Sequence, residues 1–214
     1  MKEIWIIGAG RFGWLAFQRL SEKKKHTRFI LVDPVKENLS RWQGPKLIIY
    51  LGDGVDFLNE HLQGESRPDW IIPALPVHLA GQWLLARLGP MQIQRITIPE
   101  EIEHYLPNPI RGAGGDLYVS HADFRCPHDC AEPRDLCTVT GEKRKKNMFE
   151  VLKGIRFDPF QPVVIRSRQL GPGVGGYRPR QIYELLEKVK QLSGPLLLST
   201  ACRCHGVITG LHKK

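Results

Sequence analysis

Five cysteines fall in two groups. Cys126, Cys130 and Cys137 are spaced C-x3-C-x6-C among prolines, and Cys202 and Cys204 flank Arg203 just before His205. Thiolates are soft ligands, so three on one loop and two on another suit zinc or an iron–sulfur cluster, with one sulfur to spare. His128 and His205 stand beside them as substitute ligands. The spacing matches neither the paired C-x2-C of zinc ribbons nor the bacterial ferredoxin run. Cys126-Pro127 and the nearby Arg125, Arg134 and Arg203 favour a cluster, because N–H donors and positive charge offset an anionic centre. The expectation is an iron–sulfur cluster, with zinc as the alternative; five buried or incidental thiols are the plain reading. A disulfide set is not expected in a reducing compartment.

A second constellation sits at the amino terminus. The apolar run Ile4-Trp5-Ile6-Ile7 leads into Gly8-Ala9-Gly10-Arg11-Phe12-Gly13. This is a strand, a glycine-rich turn and a helix start in the order of a dinucleotide fingerprint. Gly8 would make the tight turn, Gly10 would let the backbone approach a pyrophosphate, and Gly13 would let helix and strand pack closely. The helix amino terminus would then face the phosphates. Asp33 ends the next apolar run, 25 residues beyond Gly8, where a carboxylate can bind ribose hydroxyls and repel a 2′-phosphate. NAD is therefore expected over NADP. The competing role for Asp33 is to cap the helix opened by Pro34.

These groups need elements to hold them. Apolar residues at helical spacing over 11–20 predict a helix, and 29–32 reads as a strand. A short helix is expected over 34–42, a strand over 47–50, a helix over 55–62, a strand over 70–74 and a helix over 77–88. Residues 93–98 alternate and would be the fifth strand. This alternation predicts crossover connections and a parallel sheet. His78, past the fourth strand, could serve as a proton donor or be an ordinary first-turn residue.

Residues 4–58 resemble the nucleotide-binding domain of the TrkA/RCK family, the cytoplasmic regulators of potassium transport. The matching residues are Gly8, Gly10, Arg11, Phe12, Gly13 and Asp33, with Gly52 and Asp53 after the third strand. The resemblance implies that these positions seat NAD(H) or another adenine nucleotide. It also implies that binding changes the conformation of an assembly.

The prolines and glycines over 99–115 mark a boundary, so the expected domains are 1–110, Rossmann-like, and 111–214, a smaller cysteine-containing α/β (α+β) unit. In the second, a helix is expected over 142–154, strands over 117–119, 163–167 and 196–200, and a helix over 179–192. Residues 170–177 form a second glycine-rich loop among Arg166, Arg168, Arg178 and Arg180. That combination suits a small anionic ligand.

The net charge of +9 comes partly from Lys23-Lys24-Lys25 and Lys143-Arg144-Lys145-Lys146. No recognition motif accompanies these runs, so solvated faces are expected and nucleic acid is not. No apolar stretch nears the ~20 residues of a membrane span, and Met1 runs straight into a strand pattern, so a cytoplasmic protein is expected. Two functions follow. One is an NAD(H)-binding redox protein or oxidoreductase component with a cysteine-ligated metal, working as a homo-oligomer or with a redox partner. The other is a non-catalytic, nucleotide- and redox-sensing regulator with structural zinc. NADH gives an electron pair while a cluster takes one electron, so direct transfer between them needs a flavin, which a partner would supply.

Overall fold

A computed structural model describes residues 2–40, 42–44, 46–62 and 68–214. The amino-terminal half runs β1 (Lys2–Ile7), α1 (Arg11–Lys23), β2 (Thr27–Asp33), α2 (Lys36–Leu39), β3 (Leu47–Leu51), α3 (Gly54–His61), β4 (Trp70–Pro73) and α4 (Leu79–Leu88). The four strands form a parallel sheet in the order β3-β2-β1-β4. Ile4, Trp5, Ile6 and Ile7 are all buried, because a central parallel strand is covered on both faces. In α1, Gly13, Ala16 and Leu20 turn inward while Phe12 and Trp14 stay exposed. The helix expected over 34–42 is a single turn, since the Asp33 carboxylate holds the Val35 N–H and the Asn38 side chain. Arg41 lies outside the described residues.

The chain continues through β5 (Ile93–Arg95), a 3-10 turn (Glu100–Tyr105), β6 (Ile110–Arg111), β7 (Leu117–Ser120), α5 (Met148–Lys153) and β8 (Gln161–Arg166). It ends with β9 (Arg168–Gly171), β10 (Val174–Gly176), α6 (Pro179–Lys190), β11 (Gly194–Ala201) and β12 (His205–Lys213). The protein is thus α/β, with a parallel sheet and a further mixed sheet ordered β6-β7-β12-β11-β8. Only β8 and β11 run parallel in the second sheet; β12 pairs antiparallel with β11, β7 and β5.

Three expectations are corrected here. The fifth strand belongs to the second sheet, where β5 fills the edge of β12 beyond β7. Gly210 permits this approach, since a Cβ there would meet the Ile96 carbonyl oxygen at 2.5 Å. The helix over 142–154 is confined to α5, which starts where Asn147 and Glu150 form a capping box. The second glycine loop is a hairpin, β9 pairing with β10 around Gly173 at φ 65°.

The two sheets share a core. One cluster joins Trp5, Ile7 and Phe57 to Trp83 of α4, and on to Ile182 of α6 and Val163, Leu198 and Leu211 of the second sheet. Apolar burial therefore continues across residue 110. Ile71 of β4 also bridges Tyr177, just past β10. Among the described residues no helix is long and apolar enough to cross a membrane.

Candidate functional site

The glycine turn is built as its residue types require. Gly8 has φ 109°, and a Cβ there would lie 2.5 Å from the Ala74 carbonyl oxygen. A Cβ on Gly13 would lie 2.0 Å from the Gly8 carbonyl oxygen, so helix and turn touch through bare backbone. A Cβ on Gly10 meets nothing within 4 Å, which leaves room above the turn for a ligand. Gly10 caps α1, whose first-turn N–H groups have no partner inside the helix. Arg11 and Phe12 follow, Phe12 63% exposed.

The acids are engaged locally. Asp33, 7% exposed, accepts from the Ala9 N–H at 2.7 Å and from Val35 and Asn38 at 2.9 and 3.1 Å. Its carboxylate thus fastens the glycine turn to the chain entering α2, whose cap residue is Val35 with no side-chain cap bond. Asp53 caps α3 by accepting from Val55 and Asp56, and Gly52 donates its N–H to the Asp33 carbonyl.

The cysteine loop is held from outside. Arg19 of α1 donates to the His128 carbonyl at 2.8 Å and also to that of Pro172. Gly173 at the hairpin tip donates its N–H to the Cys130 carbonyl at 3.1 Å, and the Gln169 side chain reaches the same oxygen at 2.7 Å. Arg144 donates to the Pro133 and Arg134 carbonyls and, at 3.1 Å, to Cys204 Sγ. Glu132 holds φ 47°, unusual for a residue with a side chain, and accepts from the Arg203 N–H. Cys202 and Cys204 sit in the tight turn between β11 and β12, at the carboxy end of β11.

All five thiols are partly buried and free. Two adjoining cavities meet at them. The first, about 560 Å³, runs from Phe12 past His78 to Cys126, Cys130, Cys202 and Cys204. The second, about 740 Å³, contains Cys137 and shares Cys126, Cys130 and Cys204. Burial, then the charges of Cys130 and Cys137, raises the Cys126 thiol. Burial raises Cys204, with Arg144 opposing and Glu132 and Cys130 adding. Cys202 stands apart, pushed up to about 12 by burial and then by Glu132. Hydrogen bonds to Thr140 and Val139 lower Cys137. Among the described residues, no three His, Cys, Asp or Glu groups are arranged around a common metal position.

Sequence reasoning missed His121, whose buried Nε2 has no hydrogen-bond partner among the described residues and which lines the second cavity. It also missed Thr200, Thr209 and Asp116, which surround His78. Nothing local marks the threonines; only the unforeseen β12 brings Thr209 to His78. Three of the four arginines around the hairpin have local partners. Arg166 stacks on Phe149, Arg178 on Trp70, and Arg180 pairs with Glu184.

A protein of Archaeoglobus fulgidus described as "Uncharacterized protein" is 27% identical over 221 residues, covering 97% of this chain and 98% of the relative. No solved structure matches. A family model described as "Uncharacterized protein, C-terminal domain" matches residues 80–214, more than half of the chain, from α4 through both cysteine groups to the end of β12. The chain belongs to that family, AF_1314_C.

Proposed function

We propose that this is an NAD(H)-binding redox protein whose cysteine loop is held by a thiolate-bound metal, an iron–sulfur cluster with zinc as the alternative. One observation carries the reading. From residue 121 to 147 no residue is fully buried and no helix or strand forms, although the segment contains three cysteines. A stretch of that length without a core needs another source of order, and a metal joined to folding supplies one. We assign Cys126, Cys130, Cys137 and Cys204 as the four ligands, since Cys126 feels Cys130 and Cys137, and Cys204 feels Cys130. Cys202 is the spare. The N–H of Glu132 donates to Cys130 Sγ and Arg144 donates to Cys204 Sγ, bonds that favour a charged sulfur.

The nucleotide part is supported by Gly8, Gly10 and Gly13, with Arg11 and Phe12 at the helix start. Asp33 and Gly52-Asp53 shape the floor of that turn. The first cavity begins at Phe12 and ends at the thiols, so nucleotide and metal would lie within one site. The coreless loop equally favours the second reading, a nucleotide- and redox-sensing regulator of the TrkA/RCK type with structural zinc. Ile48, Ile49 and Leu51 are exposed on the edge strand β3, which suits a second copy or a redox partner.

Metal analysis and a visible spectrum of protein purified without oxygen test the metal. Iron with thiolate-to-iron absorption supports the cluster, colourless zinc protein supports the alternative, and metal-free folded protein refutes both. NAD and AMP titrations of wild type and Gly10→Trp test the nucleotide. Equal affinity in the two proteins removes it from the glycine turn.

A further inference from the structure

A buried chain of hydrogen bonds ends at the first cavity and takes no part in the reading above. His78 is 3% exposed, just before α4. Its Nδ1 lies 2.8 Å from Thr209 Oγ1, and its Nε2 lies 2.8 Å from Thr200 Oγ1. Thr209 donates to Asp116 Oδ1 at 2.5 Å, and Asp116 is paired with Arg95.

The direction of every bond follows from the charge on Asp116. An ionised carboxylate only accepts, so the single hydroxyl proton of Thr209 points to it. The Thr209 oxygen must then accept from His78 Nδ1–H. Nε2 is left with its lone pair, which accepts the Thr200 hydroxyl proton. Thr200 and His78 both line the cavity, while the far end reaches solvent at the Arg95 side chain, 31% exposed.

We propose that Thr200, His78, Thr209 and Asp116 form a proton relay for a small alcohol, or its carbonyl product, bound in this cavity and exchanging hydride with the nicotinamide. The proposal rests on the nucleotide half of the reading above. In the oxidising direction, the substrate C–H electron pair leaves as hydride to NAD+, and the substrate C–O bond becomes C=O. The substrate hydroxyl proton passes to the Thr200 oxygen as the Thr200 proton moves to His78 Nε2. His78 gives its Nδ1 proton to Thr209, which gives its own to Asp116. The substrate loses two electrons and NAD+ gains them. The one proton released stands on Asp116 and leaves to solvent past the partly exposed Arg95 side chain. Reduction runs the same steps backwards.

Two further features fit. Burial lowers His78 to about 4, so the imidazole is neutral at pH 7 and can pass a proton in either direction. The buried Tyr177 hydroxyl has no hydrogen-bond partner among the described residues, and Tyr177 lines the same cavity, where a substrate oxygen could meet it. Leu75, Val77 and Tyr118 give the substrate an apolar wall. Hydride transfer between nicotinamide and such a substrate moves an electron pair, so it needs no one-electron step at a metal.

The test combines three measurements on the full chain. NADH binding is followed by its fluorescence, and turnover by NADH oxidation with propanal, hexanal and cyclohexanone. The tautomer of His78 is read by 15N NMR. The expected result is turnover of at least one probe, a fall in kcat of about 100-fold or more in Thr200→Val with NADH affinity unchanged, and recovery in Thr200→Ser. His78 should carry its proton on Nδ1 in wild type and in Thr200→Val. An Nε2–H tautomer, undiminished kcat in Thr200→Val, or no turnover of any probe by NADH-bound wild type overturns the relay. Wild type that does not bind NADH overturns the nucleotide reading instead, and the tautomer shows whether the relay's geometry falls with it.

Discussion

Replacing Thr209 by valine isolates the centre of the His78 network. Thr209 is 1% exposed, and its hydroxyl makes two bonds, one to Asp116 and one with His78. Valine keeps the shape and removes both. A bond to a charged acceptor contributes about 1.5–3 kcal/mol and a neutral one about 1 kcal/mol, and each buried group left unpaired adds its own desolvation. Arg95 still holds Asp116, which keeps the sum at about 3–4 kcal/mol. For a chain of this size, 1 kcal/mol moves the Tm by about 2–4 °C, so a fall of about 6–16 °C is expected. Thr200→Val is the control. It removes one bond beside a cavity, where water can replace the lost donor, and should cost about 1 kcal/mol or less. Thermal and urea unfolding followed by circular dichroism measure both. A Thr209→Val protein within about 1 kcal/mol of wild type, or one less affected than Thr200→Val, would refute the bond directions argued above.

Two other predictions follow from the same geometry. The folded chain protonates His78 at about 4 and the unfolded chain near 6.5, so the unfolded state gains protons first as pH falls. The stability contributed by neutral His78 is complete above 6.5 and is lost towards pH 4; the loss is about 2.5 kcal/mol at pH 4.5. Urea unfolding of wild type and His78→Gln at pH 7 and 4.5 measures it, and equal pH slopes in the two proteins would count against the assignment. At the glycine turn, Gly13→Ala drives a Cβ onto the Gly8 carbonyl and should cost about 3 kcal/mol, whereas Gly10→Ala meets nothing and should cost little. Calorimetry that finds the two variants equally stable would contradict the turn as described.

The first half was legible because its determinants are local. Ile4–Ile7, the glycine turn and Asp33 lie in one short stretch, and their periodicity and spacing specify strand, turn and helix without distant partners. The second half was legible only in part. Residues 93–98 alternate like any strand, and nothing in them says which sheet they join; that is decided by the bare backbone of Gly210, more than a hundred residues on. The strand β12 begins with His205 and continues with Gly206, Val207, Ile208, Thr209 and Gly210, a pattern its glycines obscure. With β12 unseen, Thr209 could not be placed beside His78. The cysteines were visible by type, but their grouping depends on Arg19 of α1 and on Gln169 and Gly173 of the β9–β10 hairpin holding the loop from outside it.

The loop from 121 to 147 brings the strongest physical tension in the molecule. Fixing a residue's backbone costs about 1–2 kcal/mol, so ordering this segment opposes folding along its whole length. Apolar burial, which offsets that cost in the sheets, is missing here, because none of these residues is buried. Hydrogen bonds from Arg19, Gln169, Gly173 and Arg144 contribute about 1 kcal/mol each. A thiolate-bound metal, as proposed, would supply further order by coupling its own binding to folding. A metal on Cys126, Cys130, Cys137 and Cys204 would also tie the loop to the β11–β12 turn, only a few residues from Thr200. Its loss would then loosen the wall of the first cavity while the shared core of Trp5, Trp83 and Leu198 held the sheets together. A metal held there as proposed would make the thiol loop and the cavity one mechanical unit, whichever element the thiols bound.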